Sequence, residues 1–279
     1  MKNSILKSKM LIILLIFILV LLIVYKFYNN LEYFYNNNEN IICFLTVNPC
    51  IEFYNFCKKL KASNFYNNYQ FYISIDDNSY NIPNYSSNDN IHIIKINEKE
   101  CIEFGFQNTV LNHRTTSRDK ALYYFCSKNI NFKYLWLIEE DVLIPNVDAI
   151  YNFDNKYYFG DLCCPENKIK NDRIIDWHWK LVFSQTSLSL PLAKSMICAI
   201  RISKKLLNKI YIYAKTNKTL FLDEALFNTL ALKNNLQIIN PIELNGIKWR
   251  HKWNKEDIKR DYFYHPIKCM KKQDNLRLY

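Results

Sequence analysis

The stretch "YLWLIEEDVLIP", Tyr134 to Pro145, sets Glu139, Glu140 and Asp141 between two apolar runs. A short run as continuously apolar as "YLWLI" reads as a strand buried on both faces, and acids that directly follow it stand at that strand's end. In an extended segment successive side chains point to opposite sides, so Glu139 and Asp141 share one side and Glu140 takes the other. Two carboxylates converging at the mouth of a buried strand meet the needs of a hard divalent cation, which commonly binds carboxylates together with phosphate oxygens.

The pattern extends in both directions. "IICFLTVNP" (41–49) is a second buried run, stopped by Asn48-Pro49, and "CIEFYNFCKKL" after it has apolar residues 53, 56, 57 and 60 at helical spacing. "YQFYISIDDNS" is a strand ending at Asp76-Asp77, and "IHIIKI" is another. "TTSRDKALYYFCSKN" opens on cap candidates Thr116 and Ser117 and sets Ala121, Leu122 and Phe125 on one face of a helix. Downstream, "YYFGDLCCP" and "MICAIRIS" read as strands, and Ser203 caps the helix "KKLLNKIYIYAK". "FLDEALFNTLALKNN" is a helix with Asp223 and Glu224 in its first turn and a stripe of Leu226, Phe227, Leu230 and Ala231. Strands alternating with helices predict an α/β fold: a Rossmann-type, mostly parallel sheet flanked by helices. Ligands of such sheets sit outside the C-terminal ends of the strands, where both "IDDN" and "IEED" fall.

Composition narrows the chemistry. Three glycines, Gly105, Gly160 and Gly246, form neither a G-x-G-x-x-G nor a Walker A loop, so a bound diphosphate would need a cation and basic side chains instead. The net charge of +11 suits nucleic acid, an anionic membrane surface or a phosphorylated ligand. Arg114, Arg118 and Lys120 stand at the start of a helix, where they oppose its dipole unless an anion is present. Nine cysteines show no zinc-site spacing, although some pairs could bridge in an oxidising compartment.

Met10 to Tyr25 carry no charge, Pro or Gly, no small-residue cleavage site follows, and residues 10–28, with Phe27 and Tyr28, read as a transmembrane signal anchor. Lys2, Lys7 and Lys9 precede the uncharged run and only Lys26 closely follows it, so residues 1–9 are a cytosolic tail. Residues 29–39 form a stem, and residues 40–279 a single domain facing an ER/Golgi-type lumen. A lumenal domain meets no nucleic acid, which favours the phosphorylated ligand.

An anchor, a stem, a strand ending in Asp-Asp, a basic helix "SRDKALYYF" and then "YLWLIEEDVLIP" resemble, in that order, the nucleotide-sugar-dependent glycosyltransferases of the GT-A fold, whose D-x-D motif follows an apolar strand. The resemblance runs over roughly residues 40–270, with Glu139 standing where the family has its first Asp. It implies that Asp141 binds a metal bridging two phosphates, Mn2+ rather than Mg2+, and that Glu139 supports the metal or the ribose. It puts Thr46 and Val47 near the base of a UDP- or GDP-sugar donor, and Asp76 or Asp77 near uracil or ribose. Arg118, Lys120 and Lys268 would face the phosphates, and His265 in "YHP" would be the third metal ligand, with His251 as its competitor. Glu224, and after it Asp223, would remove the proton of an attacking hydroxyl on a glycan or glycoprotein acceptor, and Trp177 and Trp179 in "DWHWK" offer faces to a sugar. Two other readings stay open: a metal-dependent phosphoesterase using the same carboxylates, and a membrane-tethered, non-catalytic glycan-binding or pseudoenzyme module.

Overall fold

Four apolar runs lie side by side in the computed structural model, which describes residues 40–108 and 115–278. They are β1 (Asn40–Thr46), β2 (Tyr69–Ile75), β3 (Ile91–Ile94) and β4 (Tyr134–Glu139). The remaining strands are β5 (Leu162–Cys163), β6 (Lys168–Lys170), β7 (Leu192–Lys194), β8 (Ala199–Ser203), β9 (Ile238–Ile239), β10 (Gly246–Ile247) and β11 (Tyr264–His265). Helices are α1 (Ile51–Lys61), α2 (Glu98–Glu103), α3 (Ser117–Ser127), α4 (Ala149–Lys156), α5 (Trp179–Gln185), α6 (Lys204–Asn217), α7 (Asp223–Lys233) and α8 (Met270–Leu276). The anchor and stem at 10–39, and Arg114, lie outside the described residues. Among the described residues no helix is long and apolar enough to cross a membrane.

The main sheet has seven strands in the order β3-β2-β1-β4-β8-β5-β9. It is parallel except at β8, which runs against both β4 and β5. From β1 the chain moves outward through β2 and β3, then returns to the other side of β1 as β4. A topological switch point therefore lies between β1 and β4, where open α/β sheets bind their ligands.

Alternation along the strands explains why helices cover both faces. Ile41, Cys43, Leu45, Leu135 and Leu137 pack with Ala121, Leu122 and Phe125 of α3 and with Leu206, Leu207 and Ile210 of α6. Ile42, Phe44, Trp136 and Ile138 pack the other way, with Phe53, Phe56 and Leu60 of α1 and Ile150 and Phe153 of α4. With both faces apolar, the strands show no polar alternation, the mark of a parallel sheet buried on both sides.

Three expectations need correction. Helix α7 has no single apolar stripe: Ala225 through Ala231 are all buried. Strand β7 covers its far side, where Thr229 Oγ1 accepts from Ala193 N at 3.0 Å and donates to Ala193 O at 3.0 Å, so even a hydroxyl is satisfied inside. All nine cysteines carry free thiols, so no bridge staples this domain. Thr116 alone caps α3: it closes a capping box with Asp119, while Ser117 is the first helical residue.

A buried polar knot lies at the end of the sheet where the parallel strands begin. Asp154 Oδ1 accepts from Trp136 Nε1 at 3.0 Å and from Arg201 Nη1 at 2.8 Å. Its Oδ2 accepts from Tyr69 OH at 2.7 Å and Asn40 Nδ2 at 3.2 Å. This one carboxylate joins β1, β2, β4, β8 and α4, leaving the opposite end of the sheet open for ligand chemistry.

Candidate functional site

At that opposite end the acidic turn after β4 is held by its backbone on every side. Glu139 N donates to Cys198 O at 2.8 Å, Glu140 N to Leu45 O at 3.0 Å, and Ile267 N to Asp141 O at 2.7 Å. Leu143 N donates to Tyr264 O at 2.8 Å, and Tyr264 N returns the bond at 3.2 Å. The C-terminal segment is thereby laid beside the turn, bringing His265 to residues more than a hundred positions earlier.

The three side chains of the turn separate. Glu140 points away and accepts from Thr46 Oγ1, and burial pushes its carboxyl above the ordinary range. Glu139 and Asp141 face His265, whose Nε2 lies 3.9 Å from Glu139 Oε2 and 3.4 Å from Asp141 Oδ1. His265 is 7% exposed, and its Nδ1 is 3.0 Å from Lys248 O. A carbonyl only accepts, so Nδ1 carries the proton and Nε2 is left facing the carboxylates. Burial opposes the charged imidazole, but Asp141, the Lys248 carbonyl and Glu139 together raise its pKa above the usual histidine value. Asp141 Oδ1 is itself buried and makes no hydrogen bond of acceptable geometry. His265 Nε2 thus stands against both carboxylates, 3.4 Å from Asp141 and 3.9 Å from Glu139.

Arg118 sits beside this point. Its Nη2 bonds Glu139 Oε1 at 2.7 Å and Ile197 O at 3.1 Å, and its Nη1 bonds Asp223 Oδ2 at 2.5 Å. The anion expected opposite this cation at the start of α3 is therefore carboxylate, supplied by the chain. Glu139 is shared between Arg118 through one oxygen and His265 through the other. Lys120 is also engaged: its Nζ donates to Asp76 O at 2.5 Å, Ile75 O at 3.3 Å and Asn78 Oδ1 at 3.2 Å, and so closes the end of β2.

A cavity of about 400 Å³ opens over these groups, lined by Thr46, Val47, Asp76, Arg118, Glu139, Asp141 and Lys268 among others. Asp76 also lines a neighbouring hollow with Asp77 and Lys120. Asp77 Oδ1 accepts from Ser79 N at 2.9 Å and Ser79 Oγ at 2.6 Å, so this carboxylate is used within its own turn. Val47 is 52% exposed, an apolar side chain open at the rim.

A second cavity, of about 370 Å³, is lined by Glu224, Lys194, Ser195, Trp177, His178 and Trp249, with others. Burial, and then the neighbouring Asp223, push the Glu224 carboxyl from 4.5 to about 7, outweighing Lys194 and Arg118. The Arg118–Asp223 pair links the two cavities, because Arg118 lines the first and Asp223 adjoins Glu224. Trp177 lines the second cavity with Lys194 Nζ 4.0 Å from its ring centroid, whereas Trp179 is core at 2% exposure. Trp249, 68% exposed, offers a further ring to it. His251 lies tilted against Trp253 with 4.1 Å between centroids and lines neither of these two cavities.

Cys198 was also missed. Its Sγ, a Glu139 carboxylate oxygen and a His265 ring nitrogen lie within 4.8 Å of one another. Its thiol pKa is driven far up, first by burial and then by Glu139. No spacing rule marks this cysteine, which reaches the site because β8 runs antiparallel beside β4. A comparison with known protein families and with curated proteins gives no match to this chain. The fold itself defines a class, an α/β protein with a mostly parallel sheet and a polar cleft at its switch point.

Proposed function

We propose that this chain is a metal-dependent glycosyltransferase of the GT-A type, moving a sugar from a UDP- or GDP-sugar to a glycan or glycoprotein acceptor. The observation that carries this reading is the approach of His265, from a distant stretch of chain, to both Glu139 and Asp141 of one turn, beside a cavity that also includes Thr46, Val47, Asp76, Arg118 and Lys268. Its location at a switch point beyond the strand ends supports a nucleotide as the ligand.

The residues fit a divalent cation. A histidine that donates Nδ1–H to a carbonyl presents Nε2 as a ligand in the orientation metal sites use, and the buried Asp141 Oδ1 3.4 Å from it accepts no hydrogen bond. Glu139, Asp141 and His265 would hold the ion, with Mn2+ preferred over Mg2+ on resemblance. Such an ion supplies charge neutralisation for the two phosphates and for the departing nucleoside diphosphate.

The chain's own groups do the rest. Lys268 adds positive charge beside the phosphates, and Val47 offers an apolar surface to the base. Arg118 fixes Glu139 on one side and Asp223 on the other. With Asp223 committed to Arg118, Glu224 is the group able to take the acceptor hydroxyl's proton, and a pKa of about 7 suits a general base at neutral pH. Trp177 and Trp249 give the acceptor cavity aromatic walls. The sequence of residues 1–39 supports a single-pass anchor with the N-terminus cytosolic and the domain in the lumen.

A panel of nucleotide-sugars, offered to the purified chain with Mn2+ and scored by released nucleoside diphosphate, tests this reading. Turnover of one donor that EDTA abolishes is the expected result. Phosphoester cleavage without sugar release indicates the phosphoesterase reading, and glycan binding with no turnover of any donor indicates the non-catalytic one.

A further inference from the structure

Cys198 immediately precedes β8, and its carbonyl accepts the Glu139 amide at 2.8 Å, so the backbone fixes the thiol beside that acid. Among the described residues its Sγ belongs to the one group of potential donors that also includes Glu139 and His265, all within 4.8 Å. Tetrahedral ligands about 2.0–2.3 Å from a shared ion stand roughly 3.3–3.8 Å from one another, so an inward movement of about 1 to 1.5 Å at most closes the group on an ion. His265 and Cys198 are 7% and 9% exposed, which limits the water available to complete a coordination shell.

We infer that Cys198 is a further ligand of the cation, and that the site selects a borderline-soft divalent ion and discriminates against Mg2+. This rests on the reading that Glu139, Asp141 and His265 hold a cation. On binding, the Cys198 S–H bond gives its proton to solvent and a sulfur–metal bond forms, with no change of oxidation state. Mg2+ takes oxygen ligands in a strict octahedron and gains little from sulfur, whereas affinity for nitrogen and sulfur donors rises from Mn2+ through Co2+, with Zn2+ well suited to both.

The test is a Co2+ titration of the full chain in detergent, followed by the visible ligand-field bands and the near-ultraviolet sulfur-to-cobalt charge-transfer band. Both appear in the native chain if the inference holds. Cys198→Ser then loses the charge-transfer band but keeps ligand-field bands, with Co2+ affinity reduced about tenfold or more and Mg2+ affinity changed less than about twofold. Ligand-field bands that disappear in His265→Ala, with no charge-transfer band in the native chain, overturn the role of Cys198 and leave the cation site standing. Absence of any Co2+ binding overturns both. Should Cys198→Ser fail to fold, cadmium-113 NMR of the native chain decides: a thiolate-shifted resonance supports the inference, and one typical of oxygen and nitrogen ligands alone refutes it.

Discussion

In the proposed transfer, Glu224 concentrates the mechanism in one proton. Burial and Asp223 raise its carboxyl to about 7, so it is protonated and idle in mild acid and ionised above neutrality. Transfer rate under donor saturation is expected to climb through about pH 7 and level off above it, as a base-dependent step requires. Glu224→Gln should cut the rate by about 10²–10⁴ while leaving metal-dependent nucleotide binding within about twofold. Stability should move oppositely. Glu224 and the buried Asp119, also raised to about 7, both hold a proton more tightly folded than unfolded. Their contribution is complete below their unfolded pKa values and is lost as pH rises through about 7, so the thermal midpoint should fall between about pH 5 and about pH 8. Arg118, 8% exposed in its side chain, separates two carboxylates that are 33% and 24% exposed. Arg118→Met should destabilise the fold by about 3 kcal/mol, near the low end for a broken buried pair, because those partners keep some solvent. Denaturant midpoints of the variant and native chain measure it.

Among the elements, β1 to β4 were legible because each is a near-continuous apolar run, and the acids at their ends stood out against it. Glu139, Asp141 and His265 were named as one set from resemblance; their meeting depends on the Leu143–Tyr264 bridge, which no local pattern announces. Strands of two residues, such as β10 and β11, carry no periodicity, since tertiary contacts alone define them. The direction of β8 was equally invisible: "MICAIRIS" reads as a strand, but only its antiparallel place beside β4 delivers Cys198. Arg118 was read as facing phosphate because its carboxylate partners lie 21 and 105 positions away. Helix α6 shows the opposite case, its start encoded locally by Ser203, whose Oγ accepts Leu206 N at 3.2 Å and donates to Asp161 Oδ1 at 2.8 Å. Ser203→Ala should cost about 1–2 kcal/mol in chemical denaturation and leave the rate of any transfer unaltered, since this cap lies away from both cavities.

At the scale of the whole molecule the sheet divides its labour between its two ends. Asp154 ties the strand beginnings together, and Asp154→Ala should remove roughly 3–5 kcal/mol of stability by leaving Arg201, fully buried, without its counter-charge. At the other end the same sheet delivers Glu139, Asp76 and the turn that carries Asp141 to a cleft, an arrangement that favours ligand over stability. The central claim is that Glu139, Asp141 and His265 bind a nucleoside diphosphate through a divalent cation. Calorimetric titration of UDP and of GDP into the full chain, with Mn2+, with EDTA, and with Mn2+ in Asp141→Ala, tests it most directly. The account predicts saturable binding of one of them with Mn2+ that weakens at least about tenfold in both other conditions. Equal affinity in all three, or no binding of either nucleotide with Mn2+ present, would contradict it.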